Sequence, residues 1–340
     1  MKISAEDCLL LRNSLPLLDV RSPAEYSGGH IPGALSMPLF TNEERAEVGT
    51  LYKQQSPQQA FLRGLELAGS KLRWYVEEGQ KLAPQGRLMI HCWRGGQRSA
   101  SLGWLLQQAG FEVKLLEGGY KAYRQLLLND LSAPRNPMLI IGGYTGSGKT
   151  IILQHLAARG ASVVDLEQLA HHKGSAFGAL GEQPQPTVEQ FENDLHAAWR
   201  LLAPAKTTWL EDESRSIGRV YLPDPFWRQM LKSPLIFLDL PLESRIEHLV
   251  NAYAPYGQQQ LQDSFQRIAK RLGGQHVKAA LEALEKDDFA AAAAIALQYY
   301  DKAYLHSLRH RDESTIRKIS LPTADPAAIA DILLDMKLDN

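Results

Sequence analysis

Residues 15–20 (LPLLDV) form a short apolar run with the length and texture of a buried strand, and residues 21–26 turn polar around Pro23. Residues 28–34 (GGHIPGA) add a glycine and proline turn. A second apolar run, residues 87–90, feeds straight into the loop HCWRGGQRS, after which Leu102, Leu105 and Leu106 recur at helical spacing through residues 99–109. The segment FEVKLLEGGYKAY repeats the cycle of strand, glycine turn and helix. Residues 1–132 therefore predict a small α/β domain with a mainly parallel sheet, and Pro134 and Pro137 predict a linker over residues 131–137.

A new cycle opens at residues 138–141, a buried strand followed by the loop GGYTGSGKT and by TIILQHLAARG at helical spacing. Three more strands are predicted in ASVVDLE, TTWLEDES and PLIFLDL, with helices between or after them, including residues 188–202 and 242–252. Residues 137–340 thus predict a doubly wound α/β domain, P-loop NTPase-like, with a C-terminal extension that is helical from residue 258 nearly to the end.

Composition narrows the function without choosing it. A length of 340 residues suits two domains, each with its own core. The net charge of -1 means that a nucleic-acid partner would have to be held by a local basic patch. The opening stretch has Glu6 and Asp7 ahead of its short apolar run and no small-residue cleavage site, so it does not read as a secretory signal. The longest apolar stretch, residues 289–297, is alanine-rich and far short of the ~20 residues of a membrane span. It predicts a helix packed closely on a neighbour, in a cytoplasmic chain with no membrane partner. Only Cys8 and Cys92 are present, too few for a disulfide framework or a four-cysteine zinc site, which points to a reduced compartment and one working thiol.

In the first loop, Gly95 and Gly96 lie between a strand and a helix that opens near Ser99, an arrangement that aims backbone N–H groups at one point near the helix's positive end. With Arg94 and Arg98 alongside, such a field brings a thiol pKa to roughly 3.5 to 7.5. Cys92 is therefore the candidate nucleophile, and Trp93, Arg94, Gly95, Gly96, Gln97, Arg98 and Ser99 are its anion loop. Cys8, among Leu9, Leu10 and Leu11 on a helix face, reads as packing.

The second loop matches the Walker A pattern, with Gly143, four residues, Gly148, Lys149 and Thr150 placed after a strand and before a helix. The backbone N–H groups from Tyr144 through Thr145, Gly146, Ser147 and Gly148 to Thr150 would surround a diphosphate, Lys149 would neutralise it, and the Thr150 hydroxyl is the candidate Mg2+ ligand. Glu211, Asp212 and Glu213 at a strand end, and Asp165, are candidate metal-orienting acids, with Asp212 or Glu211 favoured. Arg245, Arg267 and Arg271 are weaker candidates for a phosphate contact. Arg309, Arg311, Arg317 and Lys318 are interleaved with His306 and His310 and follow Tyr299, Tyr300 and Tyr304, a candidate RNA patch of which Arg309 and Arg311 are the test positions.

LLDVRSPAEYSGGHIPGALSMPL, HCWRGGQRS and LLEGGYKAYR, in that order, resemble a rhodanese domain over essentially all of the first 130 residues. The resemblance implies a sulfur or selenium atom carried on Cys92, with Asp19 and Arg21 as a structural ion pair under the loop. The loop departs from many sulfurtransferases of this fold, since it has seven residues from Cys92 to Arg98 instead of six. Cys, five residues and Arg is also the signature of cysteine phosphatases. A rhodanese domain joined to a P-loop domain containing WLEDESRSIGRVYLP resembles the tRNA 2-selenouridine synthase family over nearly the whole chain. That resemblance implies exchange of sulfur for selenium at the wobble 2-thiouridine of tRNA through an S-geranyl intermediate. Selenophosphate and geranyl diphosphate would be co-substrates, and an enzyme supplying selenophosphate a partner. A sulfurtransferase fused to a P-loop kinase or NTPase, and a cysteine phosphatase, are the alternatives.

Overall fold

A computed structural model describes residues 1–321 and 323–336, and the chain divides into two compact units, Met1–Asp130 and Leu131–Asn340. The first is built on a parallel sheet of β1 (Lys2–Ile3), β2 (Leu17–Asp19), β3 (Leu35–Ser36), β4 (Arg87–His91) and β5 (Glu112–Leu116), in the order β1-β5-β4-β2-β3. The middle strands β2 and β4 are covered on both faces, which is why they read as unbroken apolar runs: Leu17, Leu18, Leu88, Met89 and Ile90 are all buried. Cys8 is buried in the helix Ala5–Leu11, and that burial pushes its thiol up to about 12, as a packing residue requires.

Two features of this unit went unpredicted. β1 is only two residues long and pairs with β5, too short to leave a pattern. The helices Asn42–Gln54, Pro57–Gly69 and Leu72–Leu82 bury few side chains, among them Ala60 and Tyr75; the first has little apolar periodicity, whereas the other two are amphipathic and were overlooked.

The second unit contains β6 (Met138–Gly143), β7 (Ser162–Val164), β8 (Thr208–Glu211), a small antiparallel pair of β9 (Ser216–Ile217) and β10 (Val220–Tyr221), β11 (Leu235–Asp239) and β12 (Ile316–Ser320). Its main sheet is parallel in the order β12-β11-β6-β8-β7, so the strand before the phosphate loop is central. β12 corrects the expectation of an all-helical C-terminal extension. It pairs in parallel with β11 at the sheet edge, and its exposed Arg317 and Lys318 gave it the look of a basic surface run. The expected linker is also partly anchored. The helix Gly119–Ser132 runs into it, Arg135 donates to the carbonyls of Arg200 and Leu202, and Asn136 Nδ2 donates to Ala203 O and Thr208 Oγ1.

Residues 289–297 open the long helix Phe289–Leu308, which packs on Gly274–Glu285 and Leu242–Tyr253. Its buried Ala292 and Ala296 join Phe177, Leu261, Phe265 and Leu284 in a core separate from that of the main sheet. Among the described residues no helix is long and apolar enough to cross a membrane.

Candidate functional site

Cys92 follows β4, and the helix Gln97–Gln108 begins after Gly96 with no side-chain cap, which leaves its first amides for another acceptor. The loop can turn this tightly because Gly95 has φ +64°, and a Cβ there would lie 2.8 Å from Leu116 O. The glycine turn after β5 clamps it from the other side. Tyr120 N donates to Cys92 O and Lys121 N to Trp93 O, both at 2.9 Å. Beneath it, Arg21 and Asp19 form a fully buried ion pair at 2.6 Å. Arg21 Nη2 also donates to Gly29 O, and its guanidinium lies 3.9 Å from the Tyr120 ring centre, so the pair ties β2, the GGHIPGA turn and the loop together.

Cys92 is almost fully buried, and Ser99 Oγ donates to its Sγ at 3.2 Å. Burial raises the thiol pKa, but the Ser99 hydroxyl and amide, the charge of Arg98 and the Arg94 amide outweigh it and leave the pKa below its ordinary value. Trp93 is half-buried against Tyr120, whereas Arg94, Gly96 and Gln97 are exposed.

Sequence reasoning missed Glu25. Its carboxylate takes Arg98 in two bonds, 2.6 Å from Nη1 and 3.1 Å from Nη2. Burial raises the Glu25 pKa, and Arg98 overrides that to hold it below the usual carboxylate range. Glu25 also accepts from Ser22 N, completing a capping box for the helix Pro23–Gly28. The pattern S-P-A-E was the signal that could have found it.

In the second unit, Gly148 adopts a left-handed conformation and caps the helix Lys149–Ala158, and Lys149 Nζ reaches back to Gly143 O at 3.1 Å. Gly146 must be glycine, since at φ +84° a Cβ would lie 2.8 Å from Arg245 O. Arg245 is buried and donates to both oxygens of Asp301 at 2.9 Å and to Thr145 O at 3.2 Å, so it braces the loop. Arg267 and Arg271 are exposed on the helical region.

The acids sort differently from expectation. Thr150 Oγ1 donates to Glu167, a residue sequence reasoning passed over. Burial first, then repulsion from Glu167, raises the Glu213 pKa, and burial likewise raises that of Glu167 against the pull of Thr150 and Lys149. The two favoured candidates, Asp212 or Glu211, differ in setting. Glu211 is fully buried, accepts from Leu166 N at 3.0 Å and is pushed well above the carboxylate range by burial and the neighbouring Asp165. Asp212 accepts from Arg311 Nη2 at 2.6 Å and Tyr304 Oη at 2.7 Å, one bond on each oxygen, and still lines the space beside the phosphate loop. Among the described residues no group of three His, Cys, Asp or Glu side chains is arranged to hold a metal. Mg2+ at this loop would be held by Thr150 and Glu167 together with substrate oxygens, which fits an ion that binds through few protein ligands.

Arg311 does not lie on the exposed basic surface expected of an RNA contact. It is 7% exposed, and its guanidinium donates to Met230 O, Leu231 O and Ser233 O as well as to Asp212. Tyr304 accepts from Gly143 N, Tyr300 accepts from Ala176 N, and Tyr299 packs on the helical core, so the half-buried tyrosines are engaged within their own unit. Arg309, His306, His310, Arg317 and Lys318 stay exposed.

A cavity of about 840 Å³ opens on the phosphate loop and runs under the helix Phe289–Leu308. One end carries Lys149, Thr150, Glu167, Glu213 and Lys173, and the wall beyond them carries Phe177, Tyr253, Leu261, Phe265, Leu284 and Phe289. The long helix presents Ala292, Ala293 and Ala296 to the same space, and their small side chains keep it open.

A model of the tRNA 2-selenouridine synthase AAA domain matches residues 136–324, and a rhodanese-like domain model matches residues 4–126. A tRNA 2-selenouridine synthase of Nitrosomonas europaea is 35% identical across 87% of this chain and 90% of its own length. The chain belongs to the tRNA 2-selenouridine synthase family. Another tRNA 2-selenouridine synthase, from Bdellovibrio bacteriovorus, is 36% identical across 91% of this chain and 93% of its own. The solved N-terminal domain of a putative ATP/GTP binding protein from Clostridium difficile 630 is 40% identical across 38% of this chain and 99% of its own, with a TM-score of 0.35. The synthase family's AAA match contains the phosphate loop, and the rhodanese-like match contains Cys92.

Proposed function

We propose that this chain is a tRNA-modifying transferase that replaces sulfur by selenium at a wobble 2-thiouridine in two half-reactions. In the first, the phosphate loop holds the diphosphate of geranyl diphosphate. The sulfur of the base attacks the first carbon of the geranyl group, the carbon–oxygen bond breaks, and diphosphate departs toward Lys149; Mg2+, held by Thr150 and Glu167, would supply further charge neutralisation there. Alkylation turns a poor leaving group into a thiol and activates C2 of the pyrimidine. In the second, selenium drawn from selenophosphate at the Cys92 loop adds to C2, and geranylthiol leaves. The soluble substrates point to the cytoplasm, with an enzyme that makes selenophosphate as partner.

The observation that carries this reading is the apolar cavity behind the phosphate loop. A nucleoside triphosphate would put a polar ribose and base beside its phosphates. Phe177, Leu261, Phe265, Leu284 and the alanine face of the long helix instead suit a hydrocarbon tail. Each buried CH2 contributes about 0.8 kcal/mol, so a ten-carbon chain adds several kcal/mol of affinity to that of its diphosphate.

The test is mass spectrometry of wobble nucleosides after incubating 2-thiouridine tRNA with geranyl diphosphate and selenophosphate, each omitted in turn. Lys149→Ala should lose geranyl transfer, and Cys92→Ser should geranylate but not selenate. Loss of both activities in Cys92→Ser, or normal geranyl transfer in Lys149→Ala, would contradict this division of labour.

A further inference from the structure

Oxidation states limit what Cys92 can accept. In selenophosphate, selenium is selenide bound to phosphorus(V), whereas selenium carried on a cysteine sulfur is two electrons more oxidised. Neither half-reaction supplies an oxidant. Attack on phosphorus needs none.

We propose that Cys92 accepts the phosphoryl group of selenophosphate, not its selenium, and so liberates selenide for the uridine. This rests on the reading that the rhodanese unit uses selenophosphate. The Cys92 thiolate attacks phosphorus of the singly protonated selenophosphate, the S–P bond forms, and the P–Se bond breaks with its electron pair leaving on selenium, which keeps the selenophosphate's own proton and departs as the hydrogen selenide anion. Water then attacks the phosphocysteine, the S–P bond breaks, inorganic phosphate departs with the water's oxygen, and the thiolate returns. The selenide forms its bond to C2 of the S-geranyl base as geranylthiol leaves.

Three features of the loop carry this. The seven residues from Cys92 to Arg98 wrap an arc with uncapped helix amides at one end, and Glu25 fixes Arg98 while using only part of its five-donor fork. Ser99 Oγ, 3.2 Å from Cys92 Sγ, stabilises the sulfur as an anion, which helps most when thiolate is expelled from phosphorus in the second step. Trp93, Arg94, Gly95, Gly96 and Gln97 include no carboxylic acid, and Glu25 is committed to Arg98. An alkoxide leaving group would need a proton from such an acid. The hydrogen selenide anion, a far weaker base that carries the selenophosphate's proton, leaves without one.

The full chain is mixed with selenophosphate and S-geranylated RNA for a single turnover, quenched, and the peptide carrying Cys92 examined by mass spectrometry. A phosphoryl adduct on Cys92 is expected. It should rise several-fold in Ser99→Ala, where thiolate departure is slowed, and be absent in Cys92→Ser. Orthovanadate, which mimics phosphorus in transit, should inhibit selenation and spare geranyl transfer. Selenium on Cys92 without a phosphoryl group would overturn the inference and leave the selenophosphate reading standing, as would selenophosphate consumption with no phosphoryl adduct in Ser99→Ala. If Cys92 makes no difference to selenophosphate consumption, the underlying reading falls and the inference with it.

Discussion

Arg311 Nη2 donates to Asp212 Oδ1 at 2.6 Å inside the P-loop unit, joining a residue expected on an RNA surface to one expected at a metal. Arg311 comes from the turn after the long helix, and its other contacts are the last carbonyls of the helix Asp224–Lys232. Asp212 also accepts from Tyr304, whose oxygen accepts from Gly143 N. A guanidinium thus reaches the root of the phosphate loop through two hydrogen-bonded neighbours. Removing it strands a buried carboxylate and several carbonyls.

Arg311→Met should therefore destabilise the chain by about 3–5 kcal/mol, the usual cost of breaking a buried pair from one side. Urea denaturation would measure it. Arg309→Glu, on the exposed surface next door, should stay within about 0.5 kcal/mol of the parent. If Arg309 meets tRNA, its removal should weaken binding and lower the salt slope by about one. An unchanged slope would take it out of the interface.

Ser99→Ala removes the hydroxyl that donates to Cys92 Sγ. Burial then faces less opposition, and the Cys92 thiol pKa should rise. The rate of alkylation by iodoacetamide, followed against pH, should show its midpoint displaced upward, with slower reaction at neutral pH. Cys8, buried and pushed up to about 12, should contribute little background.

Glu211 gives a stability prediction of definite sign. Burial first, then the charge and hydrogen bond of Asp165, hold its carboxyl well above the ordinary value of 4.5. Its Oε1 has no hydrogen-bond partner, a setting that disfavours the charged carboxylate in a fully buried side chain. The folded chain thus keeps a proton that the unfolded chain releases, and between the two pKa values stability falls as pH rises. The contribution is complete below the ordinary value and lost as pH climbs through the folded one. Glu211→Gln, which needs no proton to stay neutral, should flatten the dependence of unfolding free energy on pH above the ordinary carboxylate range and gain relative stability at the alkaline end. A slope equal to the parent's would mean that Glu211 is ionised in the folded chain.

Ala296→Phe should fill the cavity under the long helix without touching the phosphate loop. Geranyl transfer should fall by at least tenfold, read as S-geranyl nucleoside formed from 2-thiouridine tRNA. Selenation of RNA supplied already geranylated should persist. Some loss of stability, about 1–3 kcal/mol, comes with overpacking and is separated from the catalytic effect by denaturation.

Both loops were legible in the sequence because each is contiguous: strand, glycines, charged residue and helix follow one another within about a dozen residues. The cavity was not. Phe177, Tyr253, Leu261, Phe265, Leu284 and Ala296 each look like ordinary core, and only the tertiary arrangement leaves a space among them. Arg311 misled for a related reason. Its basic neighbours suggest a surface, while the carboxylate that buries it lies 99 positions earlier in the chain. β12 was hidden because an edge strand with exposed Arg317 and Lys318 has no apolar run to announce it.

Gly119 links two motifs that the sequence separates. At φ +59° its Cα lies so close to the cysteine loop that a Cβ would strike Cys92 O and sit 2.5 Å from Gly95 N. Both are backbone atoms and cannot rotate away. Gly110, at φ +92°, has nothing within 4 Å of the same added atom, so alanine there meets only backbone strain. Each alanine should cost about 1–3 kcal/mol through the left-handed backbone, but only Gly119→Ala should displace the loop. Its Cys92 should lose the depressed pKa in the iodoacetamide profile and selenation should collapse, with geranyl transfer intact because the phosphate loop belongs to the other unit. Equal Cys92 profiles in the two variants would show that the glycine turn does not hold the loop in its working shape.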